Sequence, residues 1–244
     1  MIESIDWVFP MCGDGIRTQK RGPFKPLIEI KGEVLFKHFI NHLSRHIKQN
    51  HRIILILRED HNERFYAEKK LKELINQILP GIQVIAVIIK GRTSGPVETI
   101  SNSISHLRDN SGIAIINPDQ IVDFKWPKEI KNNEIYLPIS FNNEGKSSYV
   151  IISNKGKITN IFEKEQKSFY ASVGVYIFSS KNIIIQGLNN LSKKKNYHTN
   201  NEQYISHLIN CVIDEKINCY PLETTMKYDL GNIECINFFE TSKV

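Results

Sequence analysis

Short apolar runs alternate with amphipathic segments through the first half of the chain. Four of the runs are almost continuously apolar, which is typical of strands that are covered on both faces of a parallel sheet. These runs are Trp7–Met11, Arg52–Leu57, Gln83–Ile89 and Gly112–Asn117. Apolar residues recur at helical spacing in the intervening segments 35–47, 65–78 and 100–107. This β-α order predicts right-handed crossovers and an open, doubly wound sheet.

The second half of the chain has a different pattern, with short strands joined by turns and then helices. The predicted strands are Glu134–Phe141, Ser147–Ser153, Gly156–Phe162, Ala171–Phe178 and a run near Ile217–Pro221. Helices are predicted near Lys181–Leu191, near Glu202–Ile213 and after Asn232, with a polar loop at Ser192–Asn201. No repeat and no linker rich in Pro, Gly or Ser divides the sequence. We therefore expect a single α/β domain over residues 1–244.

The composition is that of an ordinary globular protein, with 41% hydrophobic and 9% aromatic residues. The net charge of +6 suits an anionic ligand, although solvated surface residues explain so small an excess equally well. Four cysteines without CxxC spacing indicate reduced thiols. No signal peptide and no run long enough to span a bilayer is visible. These features predict a cytoplasmic protein that does not bind membranes.

A glycine-rich basic loop follows the first predicted strand. Glycines at positions 13 and 15 allow a tight turn that brings backbone N–H groups close to phosphate oxygens. Four cations follow on the same loop, Arg17, Lys20, Arg21 and Lys25. Neither the Rossmann nor the Walker spacing is present, because position 18 is Thr18 rather than glycine. On spacing alone, a phosphate-binding loop and a tight turn with solvated bases are equally good interpretations.

The stretch PMCGDGIRTQKRGPFKPLIEIKG resembles the amino-terminal motif of the sugar-phosphate nucleotidylyltransferase family, G-x-G-x-R followed by K-P-L. The resemblance implies a Rossmann-like fold of glycosyltransferase-A type, with a mixed, mainly parallel sheet flanked by helices. It also implies that Gly13, Asp14 and Gly15 bind the nucleotide. Arg17 and Lys25 would be the catalytic cations that neutralise charge as pyrophosphate departs. Cys12 stands where relatives often have alanine, and either a packed small residue or a reactive thiol would fit there.

The segment Arg92–Thr99 resembles the family segment that holds the nucleobase and begins the next helix. The resemblance assigns base contacts to Ser94, Gly95 and Thr99. An ordinary helix start, with Ser94 as cap and Glu98 in the first turn, explains the same residues. The two interpretations are compatible.

Two aspartates match the positions at which the family binds Mg²⁺. Asp119 follows the fourth predicted strand, at the sheet edge where open α/β folds bind ligands. Asp229 precedes the last predicted helix. Two carboxylates suffice because Mg²⁺ is completed by phosphate oxygens and water. A helix cap is the alternative role for Asp229.

Three further residues match the acceptor-binding positions of the family. Lys164 lies in a stretch resembling F-x-E-K-P and would contact the acceptor phosphate, although Glu165 replaces the proline. Gly174 lies in a strand resembling N-x-G-x-Y-x-F, where a packing glycine is nearly as good an explanation. Glu202 would bind acceptor hydroxyls, and a solvated helix start explains it equally well.

The resemblance implies attack of an acceptor phosphate on the α-phosphorus of a nucleoside triphosphate, with Mg²⁺ as cofactor. No protein base is needed, since a phosphate monoester is largely dianionic above its second pKa of ~6. Residues up to about 120 would bind the nucleotide and residues from about 121 onward the acceptor. The expected acceptor is a sugar 1-phosphate for cell-surface polysaccharide precursors, of capsule or lipopolysaccharide. A cytidylyltransferase for a phosphocholine-like acceptor is the alternative.

Two other functions fit the sequence less well. A glycosyltransferase of similar fold usually carries D-x-D, but position 121 is Ile121. A non-catalytic homologue should have lost the loop cations or a metal carboxylate, and both are present. Basic and aromatic residues are not interleaved on a strand, so no nucleic-acid partner is expected. A homo-oligomer is left open.

Overall fold

The computed structural model describes residues 2–194, 199, 202–213 and 217–242. Its first half contains β1 Ile5–Met11, β2 Glu29–Ile30, β3 Glu33–Val34, α1 Leu35–Leu43, β4 Arg52–Arg58, α2 Glu59–Phe65, α3 Ala67–Ile78, β5 Gln83–Ile89, α4 Pro96–Ser101 and β6 Gly112–Ile116. The second half contains β7 Gln120–Phe124, β8 Glu134–Phe141, β9 Ser148–Ile152, β10 Ile158–Glu163, β11 Tyr170–Ser172, β12 Val175–Phe178, α5 Lys181–Ser192, α6 Ile205–Ile213, β13 Asn218–Asp229 and α7 Ile233–Thr241. The predicted α/β class with a mixed sheet flanked by helices is confirmed.

Within the described ranges, eleven strands form one sheet in the order β5-β4-β1-β6-β12-β8-β11-β9-β10-β13-β7. The strands β5, β4, β1 and β6 are parallel, as their apolar runs predict. Beyond β6 most pairings are antiparallel, beginning with β12 against β6. The β2–β3 hairpin is separate. The carboxyl ends of β1, β4 and β6 therefore share one edge of the sheet.

The two faces of the sheet bury separate apolar clusters. On one face, Trp7 and Phe9 of β1 pack against α1 and α3. On the other face, Val8 packs in the cluster that α4, α5 and α6 cover. Because alternate residues of β1 point to opposite faces, both sets are buried and the strand is apolar throughout. None of the described helices is long and apolar enough to cross a membrane.

Three predicted elements are each divided in the structure, two of them at a residue with a left-handed backbone conformation. The helical segment 65–78 is two helices, since Tyr66 takes a left-handed φ of 53° between α2 and α3. The segment 100–107 is the end of α4 followed by a 3-10 turn, Ile104–His106. The run Ala171–Phe178 is β11 and β12, separated at Gly174 with φ 76°.

The largest differences from the sequence prediction concern β7 and β13. The pattern does not predict β7, and the strand near Ile217–Pro221 is instead the twelve-residue β13. Asn218–Glu223 pairs in parallel with β8, and Thr224–Asp229 pairs antiparallel with β7. The second part of β13 contains only exposed and half-buried positions, so it lacks the continuous apolar signal of β1.

Two predicted boundaries near the acceptor residues also differ. The helix expected from Glu202 begins at Ile205, since Glu202–Tyr204 is an extended connection. The predicted loop Ser192–Asn201 begins at the end of α5, but residues 195–198 and 200–201 lie outside the described residues.

A buried carboxylate ties the amino-terminal ends of the parallel strands together. Asp6 is fully buried in β1 and accepts hydrogen bonds from Arg52 Nε at 3.0 Å and from Arg108 Nε at 2.8 Å. Burial alone would raise the pKa of Asp6, but the hydrogen bonds and charges of the two arginines outweigh burial and lower it. The ionised carboxylate is thus a structural element between β1, β4 and the segment that precedes β6.

We expect Asp6→Asn to lower the free energy of unfolding by about 3 kcal/mol, because it leaves two arginines around a neutral group. Since the folded pKa of Asp6 is lowered, its stabilisation is present above 3.8 and is lost as pH falls through the folded pKa. Urea unfolding at pH 7 and at pH 3 should show the difference between wild type and variant shrinking in acid. Asp109→Asn is the control, because Asp109 is 82% exposed in its pair with Lys181. Equal stability of wild type and Asp6→Asn at pH 7 would contradict the assignment.

Candidate active site

A cavity of about 620 Å³ opens at the carboxyl edge of β1 and β6. Nearly all of the loop residues predicted from the sequence line it: Gly13, Asp14, Gly15, Arg17 and Lys25. From later in the chain, Gly95, Thr99, Asp119 and Glu202 also line it. Predicted site residues from both halves of the chain thus line one cavity, where open α/β sheets bind ligands, although Ser94, Lys164, Gly174 and Asp229 are not part of its lining.

The glycine-rich loop folds back on itself after β1. Gly15 takes a φ of 60°, and its carbonyl accepts hydrogen bonds from the Thr18 N–H at 2.8 Å and the Thr18 hydroxyl at 2.9 Å. These bonds close the 3-10 turn Ile16–Thr18, and a second 3-10 turn begins at Lys25. A side chain at position 15 would be strained by the left-handed conformation. The loop shape is therefore fixed by Gly15 and Thr18.

The side chains of the four loop cations lie in different places. Arg17 and Lys25 line the cavity, and Lys25 Nζ lies 3.4 Å from Asp119 Oδ2. Arg21 points to α7, where it pairs with Glu240 and donates to Asn237 Oδ1 at 2.7 Å. Lys20 is exposed. Of the four loop cations, Arg17 and Lys25 thus line the cavity, whereas Lys20 and Arg21 do not.

Asp14 holds two arginines at the rim of the cavity. Its carboxylate forms ion pairs with Arg58, at the end of β4, and with Arg92, in the loop after β5. Arg58 is largely buried, with 12% of its side chain exposed, and Arg92 is 68% exposed. Asp14 therefore links three loops at the carboxyl edge of the sheet.

The pairing of β7 with β13 brings the two predicted metal aspartates together. Asp229 stands opposite Gln120, and the Leu230 N–H donates to the Asp119 carbonyl at 2.8 Å. Asp229 Oδ1 accepts from the Gly231 N–H at 2.7 Å. A Cβ built at Gly231 would lie 2.8 Å from Asp229 Oδ1 and 3.6 Å from the Arg17 guanidinium, so a side chain there would displace the Asp229 carboxylate from its present position.

Asp229 does not cap a helix in the structure, so the alternative role for this residue is wrong. The cap of α7 is Asn232, whose Oδ1 accepts from the Cys235 N–H at 2.9 Å. Asp229 is exposed beside the cavity and is not needed for that role.

The two aspartates suit a hard cation. Asp119 Oδ1 is buried without a hydrogen-bond partner among the described residues, which is costly for a carboxylate oxygen unless a ligand completes it. Asp229 adds a second carboxylate from the neighbouring strand. No group of three or more His, Cys, Asp or Glu that could hold a metal occurs in the described part of the chain. A cation here would therefore take its remaining ligands from substrate and water, as Mg²⁺ does.

The residues predicted to contact the base have different environments. Thr99 is buried, lines the cavity and bonds to the Gly95 carbonyl at 3.1 Å and the Thr93 hydroxyl at 2.7 Å. Gly95 lines the cavity with φ 148°. Ser94 is exposed, does not line the cavity and donates from its N–H and hydroxyl to Glu98 Oε2. Ser94 is therefore not the helix cap, because the N-cap of α4 is Gly95 and no side chain caps the helix, whereas Glu98 does lie in the first turn. The cavity wall is formed by Gly95 and Thr99.

The predicted acceptor residues surround the cavity at different depths. Glu202 lines it, whereas Lys164 is joined to Glu202 through the hydroxyl of Tyr204. Gly174 lies behind the wall, and its carbonyl accepts from the Asn117 N–H at 2.8 Å. A Cβ at Gly174 would lie 3.1 Å from Asn117, so this glycine allows close packing under the cavity.

Sequence reasoning missed Tyr204, which also lines the cavity. A single tyrosine before a helix carries no motif of its own. Its role depends on the approach of β10, some forty residues earlier in the chain.

Cys12 is a packed residue of the cavity floor. It is 3% exposed, and its Sγ donates to the Ile56 carbonyl at 3.5 Å. Burial raises the pKa of the Cys12 thiol to about 12. The protonated thiol is not a nucleophile, so the packed-residue interpretation of Cys12 fits the structure.

A family model described as Nucleotidyl transferase matches residues 21–237. Comparison with curated proteins gives no significant match. Among solved structures, the nucleoside-diphosphate-sugar pyrophosphorylase of Vibrio cholerae RC9 is similar over 97% of this chain and 100% of its own, with TM-score 0.83 and 20% identity.

Two other solved structures extend the similarity. The inositol-1-phosphate CTP transferase of T. maritima covers 100% of this chain and 98% of its own, with TM-score 0.70 and 15% identity. The UTP-bound UGPase of Acinetobacter baumannii covers 98% of this chain and 92% of its own, with TM-score 0.68 and 15% identity. At these identities the structures establish a shared fold.

We expect Cys12 to resist alkylation, because little of the thiol is ionised below its raised pKa. Native protein treated with iodoacetamide at pH 8 should be labelled first at the half-buried Cys235, with Cys12 labelled only after unfolding. Peptide mass spectrometry over time measures the order. The Cys12→Ala variant should have the same unfolding transition as wild type. It is the control that identifies the Cys12 peptide, because it cannot be labelled at position 12. Labelling of Cys12 ahead of Cys235 would show that the thiol is reactive.

Proposed function

The chain belongs to the nucleotidyl transferase family, and we propose that it transfers a nucleoside monophosphate from a nucleoside triphosphate to a sugar 1-phosphate, releasing pyrophosphate. The observation that carries the proposal is the shared cavity. Arg17 and Lys25 line it together with Asp119 and Glu202, and Asp229 lies beside Gly231 in its wall. Such a cavity offers cations for a triphosphate, carboxylates for a metal and a carboxylate for hydroxyl groups.

The triphosphate would lie along the glycine-rich loop. Arg17 and Lys25 supply two positive charges, and the backbone at Gly13 is open, since a Cβ built there would have no neighbour within 4 Å. Lys25 already lies 3.4 Å from Asp119, so it is held at the point where negative charge would develop on the departing pyrophosphate. The loop contributes by being preorganised, because its turns are closed before any ligand binds.

Asp119 and Asp229 would hold Mg²⁺ through their carboxylate oxygens. When bound, the ion supplies Lewis-acid stabilisation of the phosphate oxygens. Lys25 shares Asp119 with this site, which links the position of the lysine to the position of the metal ligand. Asp119 Oδ1 has no protein partner among the described residues, so it is available to a cation.

The chemical step needs no protein base. An oxygen of the acceptor phosphate forms a bond to the α-phosphorus as the bond from that phosphorus to pyrophosphate breaks. The acceptor phosphate is already largely ionised above a pKa of ~6. The chain would contribute positioning and charge neutralisation. Glu202 would accept hydrogen bonds from acceptor hydroxyls, and Lys164 would neutralise the acceptor phosphate.

Glu202 favours a polyhydroxylated acceptor over a phosphocholine-like one. Its carboxylate lines the cavity and is an acceptor of hydrogen bonds, for which a sugar or cyclitol phosphate offers donors. A glycosyltransferase is disfavoured, since Ile121 is fully buried where a D-x-D metal motif would need a carboxylate. We extend the proposal to a cytoplasmic single-domain enzyme for cell-surface polysaccharide precursors.

We expect one nucleoside triphosphate with Mg²⁺ to raise the melting temperature by about 5 °C or more at a hundredfold excess over its Kd. Thermal shift with ATP, CTP, GTP and UTP identifies the base. Pyrophosphate release with that nucleotide and a panel of sugar 1-phosphates, inositol 1-phosphate and phosphocholine identifies the acceptor. No stabilisation by any triphosphate, together with no pyrophosphate from any acceptor, would refute the proposal.

Asp119→Ala and Arg17→Ala should each lower kcat/KM at least about a hundredfold, because each removes a charge that stabilises the transition state. Both variants should retain the wild-type melting temperature within a few degrees, since neither residue is in the apolar core. Asp109→Ala and Arg64→Ala are matched controls at exposed positions outside the cavity. Wild-type turnover in either cavity variant would remove that residue from the site.

A further inference from the structure

Tyr204 lies between two charged groups at the acceptor side of the cavity. Its hydroxyl donates to Glu202 Oε2 and accepts from Lys164 Nζ. The Lys164 ammonium also lies 4.4 Å from the centroid of the Tyr204 ring, within the range of a cation–π interaction. The tyrosine thus contacts the lysine through both its hydroxyl and its ring.

Backbone hydrogen bonds fix the position of Tyr204. Its N–H donates to His207 Nδ1 at 3.2 Å, and its carbonyl accepts from the His207 N–H at 3.0 Å. The preceding residue, Gln203, accepts at its carbonyl from the Val97 N–H of α4 at 3.2 Å. A Cβ at Gly95 would lie 3.0 Å from that same carbonyl. The tyrosine is therefore held between α6 and the start of α4.

Lys164 is also constrained at its backbone. It follows β10 with a left-handed φ of 56°, and its N–H donates to the Ser147 carbonyl at 2.9 Å. Its neighbour Glu163 is bonded to the hydroxyls of Ser148 and Ser206 and is not part of the same contact. The strained conformation turns Lys164 away from its strand and towards Tyr204.

We propose that Tyr204 is a positioning residue that holds Lys164 and Glu202 as two separate recognition groups for the acceptor. The inference rests on the proposed function, because it concerns the acceptor side of that site. Without the hydroxyl, the ammonium and carboxylate could pair directly and neutralise each other. With it, a flexible lysine side chain is ordered before the acceptor arrives. The acceptor class is then a phosphate monoester that carries hydroxyl groups near the phosphate.

The test measures Michaelis constants for both substrates in Tyr204→Phe and Tyr204→Leu. The first variant removes the hydroxyl and keeps the ring, and the second removes both contacts to Lys164. We expect Tyr204→Phe to raise the acceptor KM about tenfold, the effect of losing a hydrogen bond to a charged group, and to leave the KM for the triphosphate within about twofold. Tyr204→Leu should raise the acceptor KM further.

Tyr66→Phe is the matched control, since Tyr66 is 67% exposed between α2 and α3, outside the cavity. Melting temperatures identify any variant that fails to fold. An unchanged acceptor KM in folded Tyr204→Phe would overturn the inference. An equal rise in both Michaelis constants would also overturn it, because a general structural role would affect both substrates.

A double mutant separates positioning through Lys164 from other effects. If Tyr204 acts through Lys164, Tyr204→Phe should add less than twofold to the acceptor KM in a Lys164→Ala background. A full additional tenfold rise in both a Lys164→Ala and a Glu202→Ala background would show that the tyrosine acts independently of the two groups and would overturn the inference.

Failure of the proposed function can be distinguished from failure of the positioning role. If wild type releases no pyrophosphate with any substrate pair, the proposed function fails. Binding of inorganic phosphate to wild type, Lys164→Ala and Tyr204→Phe is then compared by calorimetry. Phosphate binding that Lys164→Ala and Tyr204→Phe weaken alike would support the positioning role without catalysis. Absence of phosphate binding to wild type, or equal binding to all three proteins, would overturn it.

Discussion

The antiparallel pairing of β7 with β13 is the constraint on which the site depends. Asp119 and Asp229 are more than a hundred residues apart, and they become neighbours only because Asp229 stands opposite Gln120 and the Leu230 N–H bonds the Asp119 carbonyl. β13 achieves this by changing partner along its length, from β8 to β7. The ladder shifts register between Thr224 and Met226, within the part that pairs with β7. Loss of this ladder would leave one carboxylate at the cavity and the other on an unrelated surface.

The charged side chains around these carboxylates have different partners. Lys25 meets Asp119 and Arg17 approaches Gly231, so both cations stay at the cavity. Arg21 is bound to Glu240 on α7, and Asp14 is occupied by Arg58 and Arg92. These outer pairs hold the ends of the loop and leave its centre free. In a partly enclosed site such fixed charges stabilise developing charge more than mobile surface groups would, because they need not reorganise during the reaction.

The sequence predicted β1, β4 and β6 because both of their faces are buried and their apolar signal is continuous. It also predicted β5 from a continuous apolar run, although this strand lies at the edge of the sheet and is partly exposed. It did not predict β7 or the second part of β13, since the latter has only exposed and half-buried residues and owes its place to a partner far away in the chain. The same contrast between local sequence signals and contacts with distant parts of the chain applies to the site. Motif order located Arg17, Lys25 and Asp119 in one cavity, whereas Tyr204 has no motif and its place is seen only from its contacts with Lys164, Glu202 and His207. Sequence spacing does not reveal that the Arg21 side chain contacts α7 rather than the cavity, because either position needs a basic residue on an exposed turn.

The two sides of the site are joined by one short connection, Glu202–Tyr204. Its middle carbonyl is bonded to Val97 at the start of α4, on the side where Gly95 and Thr99 form the wall. Its tyrosine reaches Lys164 on the other side. Gly95 has no Cβ to displace Gln203, which lets α4 approach the connection closely. The connection is thus bonded to α4 on one side of the cavity and to Lys164 on the other, so that one segment links the two walls.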